Sequence, residues 1–502
     1  MGGKGGRVVG MRTYPDAATA RAACVSQGAA EWLLPIDGRK SVKLIANDVI
    51  FRGFDDKVFE QAVNTAEAPG VEQVIVGPDG HAGYGCPVGS VVVTDGYMYP
   101  GPVGPDICCS MSYLQTNVPD EVIADKATRR ALLNAIGERI PTGMGSRQGR
   151  KARRIPPDVL ATIPIWGANP ITLDALGIPP HWHEYTEAAQ CGPISDLAER
   201  LDGHESRIKG KLEQLGSLGG GNHFAECQAS IVALGMESLA AEWRITGRVG
   251  FLTHCGSRGF GFQLAALHFR GLENHFARWG IPLPGGEREL VYAPIDSPEG
   301  WAYYLDMCLG ANFAVVNHLL INAYIAEAFT EVLGPQVDAH LVYHVSHNIG
   351  REEIVGGAKR WVFRKGATRA FPAGHHDLKG TRYADTGHPV LLPGNPEAGS
   401  YVMVGQAGSV KTAFSLNHGA GRAMGRNHAK RTLNQQSVDA AMLAADILYN
   451  GRSYPLDEAP AAYKDFVQVT ASVEEAGLAK VVAKLRARFV VKDGDQSAEG
   501  AA

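Results

Sequence analysis

Positive charge is in short supply in this chain. Its 502 residues carry 48 Lys and Arg against 52 Asp and Glu, for a formal net charge of −4. That excludes binding a polyanion by average surface charge; nucleic acid must meet a local basic patch. Cysteine is also sparse for the length, with eight at Cys24, Cys86, Cys108, Cys109, Cys191, Cys227, Cys255 and Cys308. A small disulfide-stapled secreted scaffold is excluded, and free thiols in a reducing compartment, some of them metal ligands, are expected. No run of about 18 apolar residues is seen. The N-terminus has no apolar core of signal-peptide length, and Met1-Gly2 lacks the Ser or Thr of a myristoylation signal. These absences predict a cytoplasmic protein with no membrane span. There is no internal repeat, no GxGxxG fingerprint and no Walker loop. The 45% hydrophobic and 20% charged composition is that of a folded protein.

Glycine is what the chain has in quantity, at 61 residues. It clusters at Gly80–Gly104, Gly216–Gly221, Gly256–Gly261, Gly394–Gly408 and Gly419–Gly425. Glycine is needed where backbone turns sharply or approaches a ligand closely. Short apolar runs at Val74–Val76, Ser90–Val93, Arg248–Leu252 and His340–Tyr343 predict buried strands. Trp301 to Leu333 predicts one or two buried helices, Gln435 to Tyr449 another, and Ser472 to Arg488 an amphipathic helix before a last strand at Phe489–Val491. The Pro-, Gly- and charge-rich stretch 149–202, with Lys151, Arg153 and Arg154 at its start, predicts a surface insertion. Residues 493–502 predict a disordered tail. Strands and helices intermix, so the expected class is α+β.

Polar residues recur beside these glycine clusters and strand ends. Asp106-Ile107-Cys108-Cys109 follows PGPVGPD, Asn222-His223 follows LGSLGGG, His254 precedes CGSRG, His347-Asn348 ends a strand-like run and His418 opens HGAGR. One carboxylate, one thiolate and several imidazoles suit Mn²⁺, Zn²⁺ or Fe²⁺ better than Mg²⁺ alone. Two such ions would suit phosphoryl transfer. Adjacent Cys108 and Cys109 cannot both face one site from a strand, so one of them is expected in the core.

Taken together these segments resemble the RtcB family of RNA ligases. PDGHAGYGCPVGSVV at Pro78 to Val92 resembles the family's PDxHxGYGxPIGGVxA, and GPVGPDICCS resembles GGVGFDINCG. LGSLGGGNHFAECQ, THCGSRGFGFQ, YHVSHNIGR, RKGATRAFPAGH and HGAGR follow in family order, and FVVKDG resembles the terminal IxVIKG. The resemblance runs from about Pro78 to Lys492 and implies one catalytic domain over 1–492, with β-sheets flanked by helices around a central metal-containing cleft. It implies two Mn²⁺ ions, the first held by Asp106, Cys109 and His223, the second by Cys109, His254 and His347. It implies His418 as the nucleophile toward GTP. Asn222, Phe224, Glu226, Asn348, Asn395, Ser400, Gly419, Ala420, Gly421, Arg422, Tyr463 and Lys492 would contact the nucleotide. Arg258, Arg364, Lys365 and Arg369, with Arg382, are candidates for RNA phosphates; Asp79 and His81 would support the metals or bind phosphate. The implied partner is RNA bearing a 3′-phosphate or 2′,3′-cyclic phosphate end and a 5′-hydroxyl end, with an accessory activating protein as a further partner.

The chain departs from the family pattern in places. Pro393 to Val402 reads PGNPEAGSYV in place of PGSMGTASYV, so Pro396 removes a backbone donor and Glu397 adds negative charge near a nucleotide loop. The family's Asn is Cys108, the Asp two residues before its fourth-motif Asn is replaced in His344-Val345-Ser346, and its GHQ is Gly261-Phe262-Gln263. These changes leave the implied ligands and His418 in place and predict a divergent paralogue suited to RNA repair more than tRNA splicing. Two alternative readings are a metal-dependent 2′,3′-cyclic phosphodiesterase without ligation and a non-catalytic protein that binds RNA ends.

Overall fold

A computed structural model describes residues 13–37, 40–143 and 153–493. The expectations for the N-terminus, for Lys151 and for the tail beyond Asp493 lie outside the described residues. Two large sheets organise the rest. The first runs in the order Val25–Gly28, Glu31–Pro35, Ser41–Ile45, Val71–His81, Val88–Thr94, Ala358–Lys365 and Asn348–Val355. Its parallel pair, Ser41–Ile45 with Val71–His81, is bridged by the helix Asp56–Ala66, as a parallel crossover requires. The second runs Ala339–Ser346, Ser110–Thr116, Val249–Cys255, Phe224–Val232, Ala479–Lys492, Gly399–Gly405 and Pro389–Asn395, with Leu448–Tyr449 added beside the Ala479–Lys492 strand. The class is the expected mixture of helix and sheet.

Continuous apolar runs become strands buried throughout: every residue of Ser110–Thr116 and of Val249–Cys255 is buried. A single helix, Pro298–Leu333, contacts this sheet's central strands Ser110–Thr116 and Val249–Cys255. Ser297 Oγ caps it by accepting from Gly300 N, and Pro298 fills its first turn. Its buried side chains include Leu309, Phe313, Leu319 and Phe329, each worth about 1.5–3 kcal/mol on leaving water. By length and composition this helix could cross a membrane, but its apolar stretch is wholly buried inside the protein.

Three expectations fail, each for a physical reason. Of the stretch 149–202, the described residues 153–202 are no superficial insertion. The helices Pro157–Trp166, Pro170–Ala175 and Ile194–Asp202 bury Leu160, Ile163, Leu173 and Leu197 in the main core. Asp306 of the long helix, fully buried, binds Arg200 at 2.6 and 2.9 Å, His204 at 2.7 Å and His268 at 2.6 Å. The polar composition that read as surface is thus used to pair buried charge. The helix expected over Ser472 to Arg488 stops at Glu475, since Gly477 turns left-handed at φ 71°. Ala479–Lys492 is instead a 14-residue strand, and its alternating Lys484, Arg486 and Arg488 were misread as a helical polar face. The helix begun at Gln435 ends at Ala444, and Leu448–Tyr449 pairs as strand.

The register of the second sheet gathers the site. Ser346 pairs with Ser110, Ser110 with Cys255, Phe224 with His254 and Lys492 with Phe224. Cys109, His223, His254, His347 and Lys492 therefore stand at one edge. His347 is also the link between sheets, because Ala339–Ser346 ends just before it and Asn348–Val355 of the first sheet begins just after it.

Candidate active site

Cys108 adopts a left-handed φ of 55°, which is unfavourable for a side-chain-bearing residue and concentrates at functional sites. The twist sends Cys108 into the core, where burial pushes its thiol up to about 12, and turns Cys109 toward the histidines. Cys109 Sγ lies 3.1 Å from His254 Nε2 and 3.5 Å from His223 Nε2. His223 Nε2 lies 2.9 Å from Asp106 Oδ2, and His254 Nε2 lies 3.2 Å from His347 Nε2. Cys109, His223, His254 and His347 are all buried.

The outer nitrogens decide the chemistry of the inner ones. His223 Nδ1 donates to Leu218 O at 3.1 Å and His254 Nδ1 to Asn222 O at 3.0 Å. Each ring then turns an Nε2 lone pair inward, against a carboxylate oxygen, a sulfur or another Nε2. His223 Nε2 and the Asp106 carboxylate, 2.9 Å apart, repel as two acceptors unless a cation or a proton lies between them. Ligand atoms about 3.0–3.6 Å apart are what a metal bound at about 2.1–2.3 Å requires. Metal-bound histidines characteristically donate their other N–H to a carbonyl, as these two do. The residues present therefore fit a transition-metal ion. Burial, and then the neighbouring His223 and His418, hold His254 well below the usual imidazole range; His347 is held down by burial and then by His418 and His254. Burial and then Asp106 push the Cys109 thiol well up. Burial opposes ionisation of Asp106, but the adjacent His223 outweighs it and holds the carboxyl below its ordinary range. Gly219 is obligatory here: a Cβ would lie 2.9 Å from His223 Nδ1 and 2.0 Å from the Arg258 guanidinium.

His418 stands against this cluster, its ring centroid 4.8 Å from that of His347. Its Nδ1 lies 2.8 Å from Asp79 Oδ2 and 2.7 Å from Gly366 O. With two acceptors on Nδ1, that nitrogen carries the proton and Nε2 keeps its lone pair. Gly366, at φ 62°, cannot bear a side chain, since a Cβ would sit 2.9 Å from His418 Nδ1. Lys464 Nζ donates to the carbonyls of Pro78 (3.0 Å) and Gly80 (2.5 Å), clamping the peptides on either side of Asp79. Burial lowers this lysine to about 8.

A buried cluster of polar side chains continues from His223, whose carbonyl accepts from Lys492 Nζ at 3.4 Å. Lys492 Nζ donates to Glu458 Oε2 at 3.0 Å and lies 5.9 Å from the Phe224 ring centre. Tyr463 Oη donates to the same carboxylate oxygen at 2.7 Å, while Arg422 and Arg426 reach its other oxygen. Burial alone would raise Glu458, but Lys492 and Arg426 override it and keep the carboxyl below its usual range. Glu226, buried nearby and bonded to Gln228, is raised to about 7 by desolvation. Ser400 Oγ accepts from Gln228 at 3.0 Å.

Residues 61–493 match the family model described as tRNA-splicing ligase RtcB. The tRNA-splicing ligase RtcB of Thermococcus kodakarensis is 36% identical over 481 residues, covering 92% of this chain and 97% of its own length. That of Aeropyrum pernix is 34% identical, covering 92% of this chain and 98% of its own length. The RNA-splicing ligase RtcB of Mycobacterium tuberculosis is 34% identical, covering 85% of this chain and 98% of its own length. The chain belongs to the RtcB family.

Within this RtcB fold the expected site residues divide sharply. Asp106, Cys109, His223, His254, His347 and His418 converge. Asn348 fixes the walls between them, donating to Asp106 O at 3.2 Å and accepting from Gly366 N at 2.9 Å. Arg258 borders the centre, buried, donating to Ser217 Oγ and Gly143 O. Ala420 N donates to Pro393 O, and Gly421 O accepts from Lys464 N. Asn395 turns its carbonyl oxygen to Glu397 N and Ala398 N, closing the altered loop as a local turn. His81 is lowered to about 4 by burial and turns Nδ1 to Asp79 O.

Three of the proposed RNA contacts are corrected. Arg364 is fully buried and grips Glu353 through two nitrogens at 2.7 and 2.9 Å. Lys365 is buried against the carbonyls of Tyr84 and Cys86. Arg369 is held between Glu353 at 2.8 Å and Glu187 at 3.2 Å. All three sit in strand segments whose neighbours supply buried carboxylates or carbonyls, so they are structural cations and not surface phosphate contacts. Arg382 alone of that group is exposed, stacked 4.3 Å from the Tyr185 ring centre. The sequence reading passed over Glu458, Lys464 and Glu187; no motif marks Glu458 or Glu187, whereas Lys464 directly follows the singled-out Tyr463.

Proposed function

We propose that this chain is a GTP- and Mn²⁺-dependent RNA ligase that joins an RNA 3′-phosphate or 2′,3′-cyclic phosphate end to a 5′-hydroxyl end through a GMP-histidine intermediate on His418. The observation that carries the reading is the placement of His418: its proton is fixed on Nδ1 by Asp79 and Gly366, and its ring lies against that of His347 in a cluster of thiol, imidazole and carboxylate groups. Two cations, one held by Asp106, Cys109 and His223 and the other by Cys109, His254 and His347, would neutralise charge on the phosphoryl oxygens.

The protein's own groups account for the rest. His418 Nε2 attacks the α-phosphorus of GTP; the N–P bond forms as the bond to pyrophosphate breaks. Asp79 and Gly366 O stabilise the positive charge the ring acquires. A 3′-phosphate oxygen of the RNA then takes the guanylate, and His418 returns to its free base. A 2′,3′-cyclic end is first opened by water. Attack by the 5′-hydroxyl oxygen forms the phosphodiester, releases GMP and loses the hydroxyl proton. Phe224, Glu226, Ser400, Tyr463 and Lys492 would receive the guanosine. Weak sequence preference is expected, because phosphate contacts carry no sequence information.

The test is incubation with α-labelled GTP and Mn²⁺. An acid-labile protein–GMP adduct that His418→Ala abolishes is the expected result. Opening of a cyclic end to an RNA 3′-phosphate without any adduct would replace this reading with the phosphodiesterase; neither reaction, with no bound metal, would leave a protein that only binds RNA ends.

A further inference from the structure

His223 and His254 each anchor the outer ring nitrogen on a backbone carbonyl, and His418 anchors its own on Asp79 and Gly366. His347 differs: its buried Nδ1 has no hydrogen-bond partner. The direction of its ring must be set by the backbone that carries it. That backbone is tied at His347 N to Cys109 O (2.9 Å), at His347 O to Ala367 N (3.2 Å), and at the preceding residue by a carboxylate from elsewhere. Glu187 Oε2 accepts from Ser346 N at 3.0 Å and from Ser346 Oγ.

Glu187 belongs to the 149–202 stretch, which the sequence assigned to the surface. The side chain is 3% exposed, and Thr186 and Glu187 bridge His344 through backbone pairing, with Glu187 N donating to His344 O at 2.9 Å. Its other oxygen faces Arg369 Nε at 3.2 Å. Arg369 also holds Glu353, which holds Arg364, which donates to Ser415 Oγ at 2.8 Å, three residues before His418. A buried chain of alternating charges thus begins at Ser346 and ends beside the nucleophile's strand. It lies on the strand where this chain has His344-Val345-Ser346 in place of the family's acidic residue.

We infer that Glu187 is the positioning residue for His347: it holds the Ser346 peptide so that His347 Nε2 points into the metal cluster. The inference rests on the reading of His347 as a metal ligand. Partners one step behind a metal ligand typically change metal affinity 10- to 100-fold.

The experiment is a Mn²⁺ titration of the metal-free full chain, read as free Mn²⁺ by electron paramagnetic resonance, with melting temperature recorded in parallel. Four proteins are compared: wild type, Glu187→Gln, Ser346→Ala and His347→Ala. Ser346→Ala removes only the hydroxyl and leaves the buried charges paired, so it remains informative if Glu187→Gln fails to fold. The expected result is two sites in the wild type, one in His347→Ala, and one of two sites weakened about 10- to 100-fold in Glu187→Gln and several-fold in Ser346→Ala. Wild-type affinity at both sites in Ser346→Ala and in any folded Glu187→Gln, with one site lost in His347→Ala, overturns the inference and leaves the ligand assignment standing. Both sites retained in His347→Ala overturns the assignment itself and the inference with it.

Discussion

Replacing Asp79 with Asn separates two contributions to the reactivity of His418. The Asp79 carboxylate and the Gly366 carbonyl both accept from Nδ1, at 2.8 and 2.7 Å. Asparagine is isosteric, so it fits a pocket in which a Cβ on Gly89 would already lie 2.4 Å from Asp79 Oδ1. What is lost is the charge facing the ring as it becomes cationic. A hydrogen bond to a charged group is worth about 1.5–3 kcal/mol, and each 1.36 kcal/mol is tenfold in rate. Guanylylation should therefore slow about 10- to 150-fold. Removing the carboxylate of a Ser-His-Asp triad costs about 10⁴ because the wrong tautomer follows. Here the Gly366 carbonyl still selects the correct one, so the loss should stop well short of that. The assay is single-turnover formation of labelled protein–GMP at saturating GTP and Mn²⁺, across pH 6–9. A rate within about twofold of wild type would refute the role of Asp79. A loss as complete as that of His418→Ala would refute the claim that Gly366 O holds the tautomer.

Other outcomes follow from the same geometry. Cys109→Ser should cost the protein bound Mn²⁺ at both positions, measured by elemental analysis after dialysis, because Sγ lies between His223 and His254. Glu226 titrates near pH 7 when folded, against about 4.3 unfolded; the folded state thus keeps a proton the unfolded chain releases. Its contribution to stability is full below the unfolded value and is lost as pH rises through about 7, so Glu226→Gln should raise the melting temperature more at pH 8 than at pH 5. Arg364→Ala should destabilise the fold in denaturant unfolding by less than the about 3–5 kcal/mol of a fully unpaired buried charge, because Glu353 loses its two-nitrogen partner but keeps Arg369 at 2.8 Å. Arg382→Ala should instead leave stability unchanged and reduce the slope of log affinity for RNA against log salt by roughly 0.7–0.9.

The side chains that converge at the candidate site, like the mixed class of the fold, were legible in the sequence; the packing around them was not. Metal-type side chains next to glycine clusters can be seen without coordinates, because close backbone approach needs glycine and metal binding needs soft and hard donors together. Which adjacent cysteine faces inward was beyond spacing, since it depends on the left-handed backbone of Cys108. Arg364, Lys365 and Arg369 misled for the opposite reason: a cation's partner is set by tertiary contact, and Glu353 and Glu187 arrive from distant segments. The same blindness hid Glu458, whose four cationic and hydroxyl partners lie up to 36 residues away along the chain. Residues 479–492 show a local ambiguity, where alternating charge fitted helix and strand equally until Gly477 decided it.

The most direct measurement is anomalous diffraction at the manganese edge from crystals grown with Mn²⁺. Two peaks sharing Cys109 Sγ, one also touching Asp106 and His223 and the other His254 and His347, are the predicted result. A single peak, or peaks away from these five side chains, would contradict the account of the centre beside His418.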